Sequence, residues 1–345
     1  MANQLDPYLT ALLQQVRSIM RTTSIPADQQ RQIMQAVLEM LQASAMTTHA
    51  PLPEHDIQNI RGQNHVKRAL EVAAAGRHNI LLVGPPGAGK AVLARTLPSL
   101  LPTTSLPYPF REPPFSIGRN AFVGDTTCLG ELTLAHGGVL LLKDLDTFDL
   151  SFLTFLAQTV ETQVISIPLQ EGWVVLPAKF ILVATVKPCP CGFAGDPGRS
   201  CLCSAGEIDQ YQQRIKDVVR TCFDLEIEVL LPGGEVLSTH PEESAAQIRQ
   251  RVQAAREVQN SRYAGIIHLW VNADLRSAEE VQHYCPLDAP GDQLLKAALR
   301  QLQLSPWQTL RIEGVARTIA DLDGSSAIQA KHVAEAIQYV SRFIR

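Results

Sequence analysis

Apolar positions follow two different patterns along the chain, a helical period and short continuous runs, and these patterns divide the chain into three regions. In residues 1–47 they return every three or four positions, with a break at Ser24-Ile25-Pro26, which predicts two helices. In residues 55–230 short continuous apolar runs alternate with helical stretches. From about residue 241 only the helical period continues. The predicted strands are Asn79–Val83, Gly138–Leu142 and Phe180–Val186.

This order of elements predicts an α/β core followed by an all-helical domain. Continuous apolar strands are typical of a parallel sheet that is buried on both faces. The predicted domains are a helical appendage (1–47), a linker (48–54), an αβα core (55–240) and a helical lid (241–345). The appendage is interpreted as a packing or docking element, with a partner-binding helical hairpin as the alternative. The predicted lid helices are Ser244–Gln259, Ala278–Tyr284, Gly291–Gln303, Pro306–Asp321 and Ala330–Ile344.

Composition limits the classes of partner. The 345 residues are 46% hydrophobic and 19% charged, enough for a full core, which excludes global disorder. The formal net charge of −4 provides no overall basic field, so nucleic acid would need a local cationic patch. No apolar run approaches the roughly 18 residues that span a bilayer. The N-terminal sequence MANQLDPYLT lacks the pattern of a signal peptide, and we expect a cytoplasmic protein without a membrane partner.

A glycine-rich loop follows the first predicted strand and precedes a helix. This arrangement fits the phosphate-binding pattern, in which backbone N–H groups surround phosphate and a lysine reaches its outer oxygens. The next residue is Ala91, where a working loop has a Ser or Thr hydroxyl that binds Mg²⁺. The phosphate cradle is therefore present without one magnesium ligand. The predicted nucleotide-binding residues are Gly84, Pro85, Pro86, Gly87, Ala88, Gly89, Lys90 and Ala91.

Four of the seven cysteines form two C-x-C pairs separated by a Gly/Pro/Asp-containing segment. In a chain without a secretory signal, such clustering favours metal over disulfides, and four thiolates suit tetrahedral zinc. Such a site would be structural, because no coordination position remains for water. The alternative is four free thiols in a loop. The candidate ligands are Cys189, Cys191, Cys201 and Cys203.

Five collinear stretches of residues 57–345 resemble the magnesium-chelatase-like AAA+ ATPases, specifically their ComM/YifB-type branch. The resemblance implies a P-loop AAA+ core with a helical lid. It also implies ATP or ADP bound between subunits of a homo- or hetero-oligomeric ring, usually a hexamer. ComM-type members are implicated in DNA branch migration, and chelatase relatives drive Mg²⁺ insertion into a porphyrin. The family has the same four-cysteine stretch, which favours zinc. The stretches are GQNHVKRALEVAAAGRHNILLVGPPGAGK, PFREPPFSI, GELTLAHGGVLLL, PAKFILVATVKPCPCGFAGDPGRSCLCS and VARTIADLDGSSAIQAKHVAEAIQY.

The resemblance also identifies positions where catalytic side chains are replaced. The strand Gly138–Leu142 should lead into an Asp-Glu pair that holds Mg²⁺ and activates water, but Lys143 and Asp144 follow it. A register slip of one residue would give Asp144 the metal-binding role, at the cost of turning the next side chain to the opposite face. Asp144 is therefore the one candidate catalytic residue.

Three more family positions are substituted. Lys187 stands at the sensor-1 asparagine, Cys222 at the arginine finger and Trp307 at the sensor-2 arginine. Arg220 is the only nearby substitute for the finger, whose loss alone lowers the rate by about 10³–10⁵. Lys143 and Lys187 either extend their ammonium groups into solvent or replace Mg²⁺ as a counter-charge to phosphate.

These substitutions lead to two hypotheses about function. In the first, the chain is a pseudo-ATPase: it binds nucleotide, has lost most or all hydrolysis, and acts as a scaffold or regulatory subunit of a ring. In the alternative, it is an active AAA+ motor in DNA recombination or in a chelatase-type complex, or a slow ATPase completed by an active neighbouring subunit. Whether the chain is an enzyme depends on which hypothesis holds.

A predicted hairpin, Gln163–Leu176, bears on the DNA hypothesis. Hairpins at this place in related rings commonly face the pore, but this one has no Lys or Arg and carries Glu171. Phosphate contacts need cations, so the hairpin disfavours DNA, although the family makes DNA a candidate ligand. Trp173 is interpreted as a core or interface aromatic, with base stacking as the alternative.

Overall fold

The chain was described from a computed structural model that covers most of its length. The described residues are 7–22, 27–44, 56–104, 108–169, 172–196, 198–231, 242–266 and 268–339. Two units can be distinguished, one formed by Met1–Leu52 with Thr104–Ile181 and the other by Pro53–Thr103 with Leu182–Arg345. The predicted domain boundaries fall in residues 45–55 and 232–241, outside the described residues, so they stay a prediction.

Helices and strands alternate in the first two thirds of the chain, and helices alone follow. The strands are β1 (Ile80–Val83), β2 (Phe110–Arg111), β3 (Val139–Leu142), β4 (Val164–Leu169), β5 (Gly172–Pro177), β6 (Ile181–Val186) and β7 (Leu225–Glu228). The helices are α1 (Pro7–Thr22), α2 (Ala27–Ser44), α3 (Asn64–Gly76), α4 (Lys90–Leu100), α5 (Arg119–Val123), α6 (Glu131–Leu134), α7 (Leu150–Thr162), α8 (Ala205–Cys222), α9 (Ala245–Arg262), α10 (Ala278–Tyr284), α11 (Ala289–Leu302), α12 (Pro306–Leu322) and α13 (Ala330–Gln338).

Five of the strands form a sheet in the order β2-β3-β6-β1-β7. The β1–β6, β1–β7 and β2–β3 pairs are parallel, and Ile80 pairs with Val183 on one side and Leu225 on the other. Every residue of β1, β3 and β6 is buried, as their continuous apolar runs predict. The predicted α/β fold class with a parallel sheet is confirmed.

The first unit contains the N-terminal helices and the predicted hairpin. β4 and β5 pair antiparallel, with Ser166 opposite Val175. Helix α1 contacts α2 and β5, and it buries Leu12 and Val16. Both predicted N-terminal helices are confirmed over the described residues, while the predicted break at 24–26 lies outside them. Within this unit the appendage therefore packs against the hairpin.

The second unit contains the helices that follow residue 241. Helices α9–α13 confirm the five helices predicted there, and α13 is described as far as Gln338 of the predicted 330–344. A buried ionic cluster lies among them: the Asp321 carboxylate accepts hydrogen bonds from Arg262, Arg317 and Asn272. Because buried carboxylates are stable only when paired, this cluster specifies how the helices pack. Among the described residues, no helix is long and apolar enough to cross a membrane.

Asn79 joins the starts of three neighbouring strands. Its Nδ2 donates a hydrogen bond of 2.7 Å to the Cys222 carbonyl, and its Oδ1 accepts one of 2.8 Å from the Leu182 N–H. Its backbone N–H donates to the Asp224 carboxylate at 2.9 Å. The side chain therefore joins the residue before β1 to the start of β6 and to the last residue of α8, while its backbone N–H reaches the residue before β7. Few other residue types offer both a donor and an acceptor at this reach.

We expect Asn79→Ala to lower the free energy of unfolding by about 1–3 kcal/mol, because two partly buried backbone groups lose their partners. The measurement is urea denaturation followed by circular dichroism. Asn260→Ala, on an exposed position of α9, is the matched control and should leave stability nearly unchanged. Equal stability of the two variants would contradict this role for Asn79.

Candidate nucleotide and metal sites

The phosphate loop leaves the end of β1 between two neighbouring strands. The Gly84 N–H donates to the Val186 carbonyl at 3.1 Å, and the Val229 N–H donates to the Val83 carbonyl at 2.7 Å. A Cβ atom at Gly84 would lie only 2.2 Å from the Val229 carbonyl oxygen. Glycine is therefore required at this position by the approach of a neighbouring backbone.

Two further glycines shape the loop just before helix α4 begins. Gly87 and Gly89 have φ angles of +83° and +82°, a region that disfavours side chains. Helix α4 starts directly after Gly89, so its first N–H groups face the loop. Lys90 is only 7% exposed, and its Nζ donates to the Gly84 and Pro85 carbonyls at 2.6 and 2.8 Å. The predicted strand–loop–helix arrangement is thus present.

A cleft of about 990 Å³ lies beside this loop in the second unit. Its size is at the upper end of the roughly 300–1,000 Å³ typical of ligand sites, and it mixes polar and apolar walls. The phosphate loop forms one wall, and the segment after β6, the end of β7 and helix α13 form the others. Residues lining these walls include Gly84, Pro85, Pro188, Ala194, Glu228 and Tyr339.

The substituted metal-binding positions are distributed over both units. Ala91 lies in the first turn of α4 and offers a methyl group in place of a hydroxyl. Lys143 directly follows β3, and its Nζ lies 3.0 Å from Glu112 Oε1. Asp144 is exposed, with a left-handed backbone (φ +50°) at the start of a short 3-10 turn. The sequence did not reveal Glu112, because nothing marks it as a partner of a residue 31 positions later.

Lys187 follows the last residue of β6 and is partly buried. Its carbonyl accepts a hydrogen bond from the Tyr211 hydroxyl at 3.1 Å. Its Cδ would lie 3.6 Å from a Cβ atom placed on Gly192. The lysine stem therefore packs beside the four-cysteine segment.

The finger and sensor-2 positions are occupied by side chains that pack within the second unit. Cys222, the last residue of α8, is only 1% exposed. Trp307 is 39% exposed, and the Arg311 guanidinium lies 5.0 Å from its ring centre. Arg220, the nearby arginine, is exposed in the last turn of α8. The residue at the position predicted for the finger is therefore a buried thiol, which presents no charged side chain at the surface of this unit.

Arg311 closes the C-terminal end of α8. Its guanidinium donates to the carbonyls of Arg220 (2.7 Å), Thr221 (2.5 Å) and Phe223, and it pairs with Asp224 at 3.4 Å. These carbonyls would otherwise lack partners at the helix end. The only sequence signal for this role is a basic residue one helical turn after Trp307. Arg311, the arginine nearest in sequence to Trp307, is thus bound by the backbone carbonyls at the end of α8.

The four clustered cysteines come together in the second unit. All four sulfurs lie within 4.8 Å of one another, and Cys189 Sγ lies 3.4 Å from Cys191 Sγ and 3.7 Å from Cys201 Sγ. Zinc–sulfur bonds of about 2.3 Å in a tetrahedron require sulfurs about 3.8 Å apart. A disulfide would need about 2.05 Å. The cluster therefore fits a tetrahedral metal ion.

The four thiols differ in their electrostatics. Backbone N–H groups of Leu202 and Phe193 lower the pKa of the Cys191 thiol to about 6. For Cys203, a backbone hydrogen bond is outweighed by burial and the neighbouring sulfurs, which raise the pKa to about 12, and the pKa of Cys201 is raised for the same reasons. Thiolate is the form that binds metal, so the N–H groups of Leu202 and Phe193 favour coordination by Cys191. Cys189 is fully buried, and its sulfur accepts a hydrogen bond from the Ala194 N–H at 3.3 Å. Such N–H···S bonds orient the ligand sulfurs.

A parallel sheet ordered β2-β3-β6-β1-β7, with a glycine phosphate loop after β1 and a helical C-terminal part, defines a P-loop protein of the AAA+ class. Residues 56–107 and 103–235 match the model of magnesium chelatase, subunit ChlI, and residues 242–340 match that of its C-terminal part. The chain belongs to this family, in the ComM/YifB-type branch.

Curated relatives support the same assignment. The chain is 38% identical to competence protein ComM of Haemophilus influenzae over 82% of its length, and 35% identical to uncharacterized protein YifB of Escherichia coli over 83%. It is 32% identical over 86% to uncharacterized protein Rv2897c of Mycobacterium tuberculosis. These matches span 60%, 60% and 64% of the respective relatives. The chain thus covers less than two thirds of each relative.

Replacing Arg311 tests its role as a cap of α8. We expect Arg311→Ala to lower the free energy of unfolding by about 2–3 kcal/mol, because several carbonyls lose a charged donor. The matched control is Arg300→Ala, which removes an exposed arginine near the end of α11. Thermal and urea denaturation measure both. Unchanged stability together with weaker nucleotide binding would contradict the capping role and indicate a sensor.

Proposed function

We propose that this chain binds ATP or ADP at its phosphate loop with little or no hydrolysis, and that it acts as a scaffold or regulatory subunit of an AAA+ ring. The observation that carries the proposal is the Lys143–Glu112 ion pair. Lys143 occupies the place where the family has the Mg²⁺-holding carboxylate, and its charge is paired with Glu112 at 3.0 Å.

Nucleotide binding is supported by the parts of the loop that backbone and Lys90 provide. Gly84, Gly87 and Gly89 retain the conformations of a phosphate cradle, and α4 begins where a phosphate would meet its N-terminus. Lys90 reaches two loop carbonyls, so its ammonium group is within the loop and can exchange those acceptors for phosphate oxygens. None of these features depends on magnesium.

Loss of hydrolysis is supported by the residues at the positions where the resemblance predicts Mg²⁺ ligands and charge-neutralising side chains. Mg²⁺ would need the hydroxyl that Ala91 lacks, and a lysine ammonium at position 143 repels a cation. Asp144, the carboxylate that follows Lys143 in the chain, lies in an exposed left-handed turn. Cys222 is buried, and Arg311 is bonded to helix carbonyls. The groups that neutralise transition-state charge in active relatives are therefore replaced.

The proposal predicts nucleotide binding that does not depend on magnesium. Calorimetric titration with ATP should give affinities within about threefold with Mg²⁺ and with EDTA, a difference below 1 kcal/mol. Lys90→Ala should weaken binding by about 10- to 100-fold, because phosphate loses a charge-assisted donor. The control Lys296→Ala removes an exposed ammonium that pairs with Asp292 on α11 and should bind as the parent does.

A measurement of phosphate released from ATP in the same samples tests whether the chain hydrolyses ATP. Turnover at ordinary AAA+ rates that disappears in Lys90→Ala would contradict the pseudo-ATPase proposal. An absence of any nucleotide binding would contradict the proposed function as a whole. Size-exclusion chromatography with and without nucleotide then separates a constitutive ring subunit from one that assembles on ATP binding.

Family membership favours a second candidate, an active AAA+ motor in DNA recombination or in a chelatase-type complex. The hairpin argues against DNA. Its apolar face buries Val174 and Leu176, while the 61%-exposed Trp173 is on the other face and no Lys or Arg accompanies it. Stacking without cations gives weak affinity for a polyanion. Adding single-stranded and branched DNA to the chromatography samples tests this candidate directly.

We also propose that the four cysteines hold a structural zinc ion. Mass spectrometry of metals should find about one zinc per purified chain, because four protein thiolates complete a tetrahedral shell. Cys191→Ser should lower both the metal content and the melting temperature, whereas Cys128→Ser, outside the cluster, should retain the metal. A visible absorption band with iron in place of zinc, or full stability without any metal, would contradict the proposal.

A further inference from the structure

The four-cysteine segment contacts the phosphate loop directly. Gly192, which follows Cys191, has a φ angle of +87° and lies against the Pro86 ring. A Cβ atom at Gly192 would lie 2.6 Å from Pro86 Cδ and 3.1 Å from its Cγ. A side chain at position 192 would therefore collide with the proline ring. The position of Gly192 therefore limits where the Pro86 side of the phosphate loop can lie.

The cluster of sulfurs determines the position of Gly192. The Gly192 N–H donates to the Cys189 carbonyl at 3.0 Å, and the Ala194 N–H donates to the Cys189 sulfur at 3.3 Å. The segment from Cys189 to Ala194 thus wraps around the buried Cys189 sulfur. Ala194 also lines the same cleft as Gly84 and Pro85. The short segment from Cys189 to Ala194 therefore contacts both the sulfur cluster and the cleft beside the phosphate loop.

The same segment is fixed on its other side by α8. The Tyr211 hydroxyl donates to the Lys187 carbonyl, and Gln212 Nε2 donates to the Pro188 carbonyl at 3.3 Å. Cys203 immediately precedes Ser204, whose side chain caps α8 in a reciprocal pair with Glu207. A metal bound by all four sulfurs would therefore link the end of β6 to the start of α8, with Gly192 held between them.

From these contacts we propose that metal binding at the four cysteines sets the nucleotide affinity of the phosphate loop, by holding Gly192 against Pro86. Gly192 is a positioning residue, since it acts through the loop. With the metal bound, the sulfurs are fixed and the loop remains in its phosphate-binding shape. Without it, the four sulfurs lose the common ligand that joins them, the segment relaxes, and Pro86 loses its support. This inference rests on the proposed nucleotide-binding function.

Gly192→Ala separates the contact from the metal, because it leaves all four ligands in place. We expect unchanged zinc content and nucleotide affinity reduced by about 5- to 150-fold, the usual range of coupling between sites. Gly195→Ala is the matched control: its φ angle is +79°, so it carries similar backbone strain, but its Cβ atom would meet nothing within 4 Å. It should bind nucleotide nearly as the parent does.

A second substitution that restores nucleotide affinity to Gly192→Ala would distinguish a positioning role of Gly192 from a general loss of folding. Pro86→Ala removes the Cγ and Cδ atoms that a Cβ at position 192 would strike, so the double variant should bind more tightly than Gly192→Ala alone. Additive losses in the double-mutant cycle would overturn the proposal. Equal affinity of Gly192→Ala and Gly195→Ala would also overturn it.

Removal of the metal provides a second test of the coupling between metal binding and nucleotide binding. The zinc-loaded and chelator-treated parent proteins are compared by calorimetry with ADP, and by zinc release to a chromophoric chelator with and without ADP. Linkage requires that ADP tighten zinc binding by the same factor by which zinc tightens ADP binding. An ADP affinity that is the same with and without zinc would overturn the proposal.

Hydrogen exchange tests the inference independently of nucleotide binding. The amides of Gly84 and of residues 87–90 should exchange faster after metal removal and in Gly192→Ala, and at the parent rate in Gly195→Ala. If the parent binds no nucleotide but shows this pattern, the proposed function fails while the link between metal and loop stands. Exchange unchanged by metal removal would overturn the link itself.

Discussion

The structure depends on how tightly the interior strand β1 is held between β6 and β7 at its C-terminal end. β6 accepts a hydrogen bond from Gly84 on one side, and Val229 donates to Val83 on the other. The carbonyl of Val229 comes so close to Gly84 that no Cβ atom fits. The phosphate loop therefore begins at a fixed position, between the C-terminal ends of β6 and β7. The cleft, helix α4 and the four-cysteine segment are all arranged around that point.

This constraint separates two kinds of requirement in the loop. The loop takes its shape from the close approach at Gly84 and the positive φ angles of Gly87 and Gly89, so it depends on glycine and on sheet pairing. Magnesium binding and charge neutralisation in P-loop ATPases depend on single side chains at the ends of strands and helices. Under the proposed function, replacement of such a side chain, as at Ala91 in the first turn of α4, leaves the glycine-dependent shape of the loop in place.

The longer elements could be predicted from sequence because burial imposes a clear period on them. β1, β3 and β6 are uninterrupted apolar runs, and the C-terminal helices repeat apolar positions every three or four residues. β2 was missed because it has only two residues, and β7 because Glu226 and Glu228 interrupt it. The phosphate loop and the cysteine cluster were visible as local motifs. Glu112, Arg311 and Gly192 were not, because each acts through a partner distant in sequence or through backbone contact.

The pairing of Lys143 with Glu112 has a consequence for how substitutions at these two positions combine. The Lys143 ammonium lies 3.0 Å from the Glu112 carboxylate, whose side chain is only 18% exposed. An aspartate at position 143 would replace that cation by a second negative charge near a mostly buried carboxylate, and nearby like charges destabilise both ionised forms. The effects of replacing the two residues are therefore coupled and do not add. The residue types that position 143 tolerates thus depend on which residue occupies position 112.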